Sequence, residues 1–273
     1  MRYSQVLKCI CLETSEFEVL NSYFRRMKEK ESGIFGLRPV MEAIEAGKTI
    51  DKLFVQKGLQ GETFSELRKL ISEYEIPTQY VPLEKLNRLT RKNHQGVFAF
   101  LSPIEFDSIE NVLPQIYEQG RNPFLLILDR VSDVRNFGAI ARTAECVGVD
   151  AIIIPQKGSA SVNADAVKTS TGALYNIPVC KEPNLRKVFQ YLKQSGIQIV
   201  SATEKASDFI YEADYVVPTA IVMGSEEDGI SDDLIKISDH IVKLPMFGKT
   251  SSLNVSVACG VFLYEVVRQR AEF

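Results

Sequence analysis

The apolar positions of this chain repeat in one way before about residue 107 and in another after residue 123. In the first stretch they recur every three to four residues, alternating with short runs of β-branched and aromatic residues. This predicts a helix over Leu37–Ala46 ending at Gly47, a strand at 52–57, and a helix over Glu62–Tyr74 carried by Phe64, Leu67, Leu70 and Ile71. A strand at Thr78–Val81, a short helix at Leu83–Leu89 and a strand at Val97–Leu101 follow. The order α-β-α-β-α-β predicts a compact layered domain over 33–106. Residues 107–122 carry Asp, Ser, Pro and Gly and read as a linker with at most one short helix. From Pro123 the runs become continuous, as in Phe124–Leu128 and Ala151–Ile154, the signature of parallel strands covered on both faces. Further strands are predicted at 197–200, 220–223 and 240–244. Helices are predicted over Asn136–Cys146 with Asn136 as N-cap, over Asn184–Gln194, over Ser231–Ile237 and over Leu253–Arg270. The fold class is α/β, and residues 123–273 form a parallel-sheet domain with helices on both faces. The last helix is apolar nearly all round, through Val255, Val257, Val261, Phe262, Leu263 and Val266, so it is expected to be buried in the core or in a dimer interface. Residues 1–32 read as an N-terminal extension, with an amphipathic helix over 18–30.

Composition narrows the function classes. The chain has 273 residues, 45% of them hydrophobic, which excludes a disordered or fibrous protein. With 32 Lys and Arg against 35 Asp and Glu, net charge is -3, so charge alone does not coat a nucleic acid. A local basic cluster at Arg88, Arg91, Lys92 and His94 reads either as a contact to RNA phosphate or as a solvated loop. Two His and five Cys without CxxC spacing make a metal site improbable, and the thiols read as reduced. No apolar run reaches the 18 or so residues of a membrane span, and Lys8 splits the N-terminal one, so the expectation is a soluble cytoplasmic protein.

In open α/β sheets ligands sit at the carboxyl ends of the strands. After the first long strand comes Asp129–Arg142, where Arg135 and Arg142 lie seven apart on one helix face and Gly138 admits a close neighbour. This reads as a phosphate-holding helix start or as a capped helix with solvated arginines. After the strand 220–223 comes Gly224-Ser-Glu226-Glu-Asp-Gly229, with neither Walker nor calcium-loop spacing. It reads as a loop offering backbone groups to a nucleoside or as an ordinary capped turn. After the last strand, Ser251, Ser252 and Asn254 precede the terminal helix. Capping explains one of the three, and surplus polar groups there are what a ligand site supplies.

Taken together, the segments NFGAIAR (136–142), MGSEEDGIS (223–231) and LPMFGKTSSLNVSVA (244–258) resemble the three motifs of the SpoU family of RNA ribose 2'-O-methyltransferases, TrmH-like members of the SPOUT superfamily. GIFGLRPVMEAI (33–44) and NHQGVFA (93–99) resemble the ends of the substrate-binding domain of some members. The nearest likeness is to the branch that methylates a guanosine ribose in bacterial large-subunit ribosomal RNA. The resemblance implies a C-terminal trefoil knot, a ribosomal-protein-like RNA-binding domain at 33–106, and a homodimer formed through the knot. It implies S-adenosylmethionine as cofactor, held at Gly224, Leu244, Met246, Leu253 and Asn254. It places catalysis on Arg142, Asn136, Glu226, Ser252 and Asn254, with RNA contacts at Arg88, Arg91, Lys92, His94 and Arg135. The chain departs from the family pattern in the 32 residues before Gly33, which lie outside it, and within the motifs at Ser251, where many members have Glu, and at Glu227-Asp228, in place of a Gly-containing stretch.

In the implied reaction a ribose 2'-OH attacks the sulfonium methyl, so the protein must align the two and remove a proton. A guanidinium is a poor base. Arg142 is therefore expected to grip the phosphate beside the target ribose, while Glu226 orients that network or accepts the proton. Three rivals are a transfer-RNA ribose methyltransferase, a non-catalytic ribosomal RNA-binding or assembly factor, and a nicotinamide dehydrogenase. The last is excluded because no GxGxxG follows the first long strand.

Overall fold

A computed structural model describes residues 33–250 and 252–271, so the 18–30 helix and Ser251 lie outside the described residues. The chain divides into two compact units after Leu101.

The first unit opens with a strand absent from the sequence reading, β1 (Gly33–Phe35). It continues with α1 (Leu37–Glu45), β2 (Ile50–Gln56), α2 (Glu62–Glu73), β3 (Thr78–Val81), α3 (Leu83–Leu89) and β4 (Val97–Leu101). The sheet order is β1-β4-β2-β3, with β4 antiparallel to both β1 and β2, and β3 parallel to β2. Side chains alternate between the two faces of a strand. Leu53, Val55, Val97 and Ala99 therefore join Val40, Ile44 and Leu67 in one apolar layer, while Phe54 and Phe98 join Val81 and Leu86 in another.

The second unit contains α4 (Ile109–Glu118), β5 (Phe124–Asp129), α5 (Val134–Cys146), β6 (Ala151–Pro155), α6 (Ala164–Thr169), β7 (Val179–Glu182), α7 (Leu185–Gln194) and β8 (Gln198–Ala202). It continues with β9 (Asp208–Phe209), β10 (Thr219–Gly224), α8 (Asp232–Ile235), β11 (His240–Lys243) and α9 (Val255–Arg270). The strands form one parallel sheet in the order β7-β6-β5-β10-β8-β11-β9. The central strands β5 and β10 are buried along their whole length, as their continuous apolar runs require. Leu126 and Leu128 pack toward Phe137, Ile140, Phe262 and Leu263, whereas Leu125 and Ile127 pack toward Val112, Leu113, Val188 and Phe189. Helices thus cover both faces.

The one helix allowed in the 107–122 stretch is present as α4 and is packed against the second unit. Asp107 bridges Cys180 at the sheet edge, and α4 buries Ile109, Val112, Leu113 and Ile116. Those four positions follow i, i+3, i+4, i+7 spacing, which outweighs the polar composition and the internal Pro114. The boundary expected at 106/107 also moves, since Ile104 is buried in the second unit's core. Asp133, not Asn136, caps α5: its carboxylate accepts from the Asn136 backbone N–H at 2.8 Å. This leaves the Asn136 side chain free for other partners. The terminal helix begins at Val255 with Asn254 as its cap. It is not buried all round. Val255, Cys259, Phe262, Leu263 and Val266 face the core, while Val257, Val261 and Tyr264 are 53%, 41% and 58% exposed. Among the described residues, no helix is long and apolar enough to cross a membrane.

Candidate active site

Strands β5 and β10 lie side by side with Asp129 opposite Gly224, so the loops leaving both strands begin at the same edge. Gly224 is required there by its surroundings. A Cβ at this position would stand 2.1 Å from the Gly229 carbonyl carbon and 2.2 Å from the Ile230 nitrogen, and backbone cannot retreat as a flexible side chain can. Gly224→Ala is accordingly expected to lower the melting temperature by displacing the 225–229 turn, at a cost of about 1–3 kcal/mol. Thermal unfolding monitored by circular dichroism checks this. Gly138 has a similar role on α5, where a Cβ would meet the Thr169 Cβ at 2.7 Å and the Ala166 carbonyl at 2.9 Å in the neighbouring α6.

The turn after β10 is closed by two backbone bonds, Ser225 N–H to Gly229 O and Gly229 N–H to Ser225 O. At its outer end stands Glu226, where three distant segments meet. Asn136 Nδ2 donates to Glu226 Oε1 at 2.9 Å, and Asn254 Nδ2 donates to the same oxygen at 2.8 Å. Asn254 Nδ2 also reaches Asn136 Oδ1 at 3.1 Å. The other end of Asn254 is engaged as the cap of α9, with Oδ1 accepting from Ser256 N–H at 3.0 Å and from the Ser256 hydroxyl. Capping therefore aims the amide nitrogen of Asn254 at the carboxylate. One carboxylate oxygen is fixed by two amides. Among the described residues no hydrogen bond is made by Oε2, so it is available to a substrate hydroxyl.

The remaining predicted residues divide by location. Leu244 is half-buried against the core, while Met246, Ser252 and Leu253 are exposed. Phe247, which sequence reasoning did not single out, is 97% exposed in the same loop. Among the described residues of 246–253, the backbone N–H and C=O groups make no hydrogen bond to other backbone groups. Unengaged backbone groups next to uncovered apolar side chains suit a nucleoside, whose base offers both an apolar face and a polar edge. These residues fit S-adenosylmethionine. Arg135 and Arg142 are exposed on α5, and neither joins the Asn136–Glu226–Asn254 network. Thr143, next to Arg142 on α5, lies 3.8 Å from where a Cβ on Gly260 of α9 would stand.

Two further residues missed in sequence reasoning support the turn. The Ser231 N–H donates to Asp129 Oδ2 at 2.7 Å, and its hydroxyl donates to the same oxygen. The usable signal was the position of Asp129 at the end of an apolar strand, where a buried carboxylate needs partners.

A SpoU rRNA Methylase family model matches residues 123–264, and an RNA 2'-O ribose methyltransferase substrate-binding model matches residues 34–107. The chain belongs to the SpoU rRNA methylase family. It is thereby an S-adenosylmethionine-dependent RNA 2'-O-methyltransferase. Among curated relatives of this SpoU protein, one from Bacillus subtilis named for the TrmH family of tRNA/rRNA methyltransferases is 33% identical over 244 residues, covering 89% of this chain and 98% of the relative. One of the same description from Staphylococcus saprophyticus is 37% identical over 241 residues, covering 88% and 97%. Among solved structures, the SpoU methyltransferase AviRb of Streptomyces viridochromogenes in complex with AdoMet shares the fold with a TM-score of 0.56 at 24% identity, covering 87% of this chain and 90% of that one. The A. aeolicus TrmH/SpoU tRNA modifying enzyme aligns over 59% of this chain and 83% of its own, at 32% identity and a TM-score of 0.50.

In the substrate-binding unit, Arg88, Arg91 and Lys92 are exposed as an RNA contact requires. His94 is not. It is 7% exposed, its Nδ1 accepts the Gly96 N–H at 3.0 Å, and its Nε2 lies 3.0 Å from Asn87 Oδ1. The ring is consumed in holding the turn before β4, which corrects its assignment as an RNA ligand. His94→Ala is expected to cost this unit roughly 1–3 kcal/mol of stability, through the buried N–H left without its acceptor. RNA affinity measured by filter binding below the melting transition is expected to stay within about twofold of wild type, since a turn-forming ring adds no phosphate contact. Among the described residues, no group of three or more His, Cys, Asp or Glu is placed to hold a metal ion.

Proposed function

We propose that this SpoU-family enzyme methylates the 2'-hydroxyl of a guanosine in large-subunit ribosomal RNA, as naked RNA or as an assembly intermediate. The observation that carries the reading is the Asn136–Glu226–Asn254 network, which joins the three motif segments at one carboxylate. When bound, S-adenosylmethionine supplies a methyl group activated by the sulfonium charge. Gly224, Leu244, Met246, Leu253 and Asn254 hold it through backbone groups and apolar side chains. Glu226 Oε2 accepts the 2'-OH proton as the oxygen–methyl bond forms and the sulfur–methyl bond breaks. Asn136 and Asn254 keep the carboxylate aimed, and Ser252 completes the rim. Arg142 grips the phosphate beside the target ribose, a task suited to a planar fork of donors. Arg88, Arg91, Lys92 and Arg135 add phosphate contacts, so affinity falls steeply with salt.

The enzyme acts as a homodimer in the cytoplasm. The uncovered Val257, Val261 and Tyr264, which line a groove of about 480 Å³ with Tyr211, Gly260 and Arg268, favour a second copy on α9. The return of the terminal segment onto Asn136 and Glu226 favours a trefoil knot around residues 244–254. Transfer RNA is the alternative acceptor, since curated relatives bear names covering both RNA classes. The separate substrate-binding unit at 34–107 favours the ribosomal one. The deciding experiment offers the purified enzyme unmodified large-subunit RNA, small-subunit RNA and bulk transfer RNA with labelled S-adenosylmethionine. Label confined to the large-subunit RNA supports the proposal, and label confined to transfer RNA replaces its acceptor.

A further inference from the structure

Arg130 is an arginine in a backbone conformation that suits glycine, with φ +60°. Its side chain reaches across to the turn after β10, and its stem passes over Gly158, where a Cβ would stand 3.3 Å from the arginine Cγ. The guanidinium donates through Nε to Asp129 Oδ1, through one terminal nitrogen to Asp228 Oδ2 and through the other to the Gly229 carbonyl, each at 3.3 Å. Asp129 is itself buried and holds Ser231 with its second oxygen. Glu226 therefore sits on a turn gripped on its inner side by the end of β5 and touched on its outer side by Asn136 and Asn254. The network of amides ties the Glu226 carboxylate to Asn136 on α5 and to Asn254 at the start of α9. The Arg130 fork, reaching both the Gly229 carbonyl and the Asp228 side chain, ties the same turn to the end of β5.

We propose that Arg130 is a positioning residue for methyl transfer: it clamps the 225–229 turn to the end of β5 and so sets where Glu226 meets the ribose hydroxyl. The inference rests on the reading of Glu226 as the group that accepts the hydroxyl proton. A strained, non-glycine backbone retained beside a reacting group is what a position held for its side chain looks like. Replacing Arg130 by glycine removes both the strain and the clamp, which moves stability and catalysis in different directions.

The test is single-turnover methyl transfer by the full-length protein as wild type, Arg130→Gly, Arg130→Lys, Glu226→Gln and the double variant Arg130→Gly/Glu226→Gln, with melting temperatures alongside. Arg130→Gly is expected to melt no lower than wild type, because glycine adopts this φ freely. It is expected to slow the methyl-transfer step about tenfold or more, as a displaced catalytic group does, with the KM for S-adenosylmethionine within about threefold of wild type. Arg130→Lys, which keeps the charge and loses the fork, is expected to fall between the two. In the Glu226→Gln background the glycine substitution is expected to cost less than about twofold, because groups that act through one another are not additive. Arg130→Gly at wild-type speed while Glu226→Gln is slow overturns the clamp alone, as does an equal loss in both backgrounds. Glu226→Gln at wild-type speed overturns the role given to Glu226, and the clamp with it.

Discussion

Arg142→Ala is expected to reduce methyl transfer by about a hundred- to a thousandfold, the scale seen when a preorganised donor to a reacting centre is lost. Folding and cofactor binding are expected to be untouched. The guanidinium is exposed on α5 and lies apart from the Asn136–Glu226–Asn254 network, so the fold does not use it. Truncation of such a surface side chain moves stability by no more than about 0.5 kcal/mol. Arg142→Lys separates two accounts of the charge. If a point charge near the RNA suffices, the lysine enzyme runs close to wild type. If a planar fork must hold a phosphate oxygen pair, it loses about tenfold or more despite keeping its charge. The fork account is expected to hold. The check is single-turnover kinetics with saturating RNA, alongside calorimetric titration of S-adenosylmethionine.

Asn254 is expected to produce the second largest effect, and its two ends are separable. Oδ1 caps α9 and Nδ2 donates to Glu226 and Asn136. Asn254→Ala removes both functions and is expected to cost about 1 kcal/mol of stability from the cap, together with a hundredfold or so in rate. Asn254→Asp keeps an oxygen for the Ser256 N–H but sets a second carboxylate against Glu226. An amide donor is thereby replaced by an acceptor, so Glu226 loses one of the two donors that aim it. Asn254→Asp is therefore expected to slow methyl transfer as much as Asn254→Ala, at a melting temperature near wild type. An aspartate enzyme at wild-type speed would contradict the pairing of Asn254 with Glu226.

The layered α/β plan was legible because continuous apolar runs and helical stripes report burial directly, and burial follows the hydrophobic pattern. β5, β10 and α7 stand close to where their runs predicted. The polar composition of 107–122 left room for one short helix but hid its packing: the four apolar residues at helical spacing bury α4. Short edge elements such as β1, β7 and β9 carry too few residues for a period to show. At the site, the segments were visible as loops at strand ends and as family motifs, but their partners were not. Asn136 was read as a cap from its place before a helix. Only the fold shows Asp133 taking that task and freeing the Asn136 amide for Glu226, 90 residues away. His94 was misassigned for the converse reason, since a basic neighbourhood in sequence does not reveal that a ring is turned inward onto its own turn. Arg130 escaped notice because its meaning lies in a backbone angle and in acceptors about 98 residues downstream.

The central claim is that the carboxylate shared by the three motifs serves transfer to a ribose oxygen. The most direct measurement is the chemical position of the transferred methyl. Large-subunit RNA labelled from S-adenosylmethionine by the wild-type enzyme is hydrolysed in alkali, and the products are separated. The account predicts the label in a single alkali-resistant dinucleotide with a 2'-O-methylguanosine at its 5' side, and its disappearance with the Glu226→Gln enzyme. Label released on a mononucleotide, as a base-methylated product would be, or retained in full by the Glu226→Gln enzyme, would contradict it.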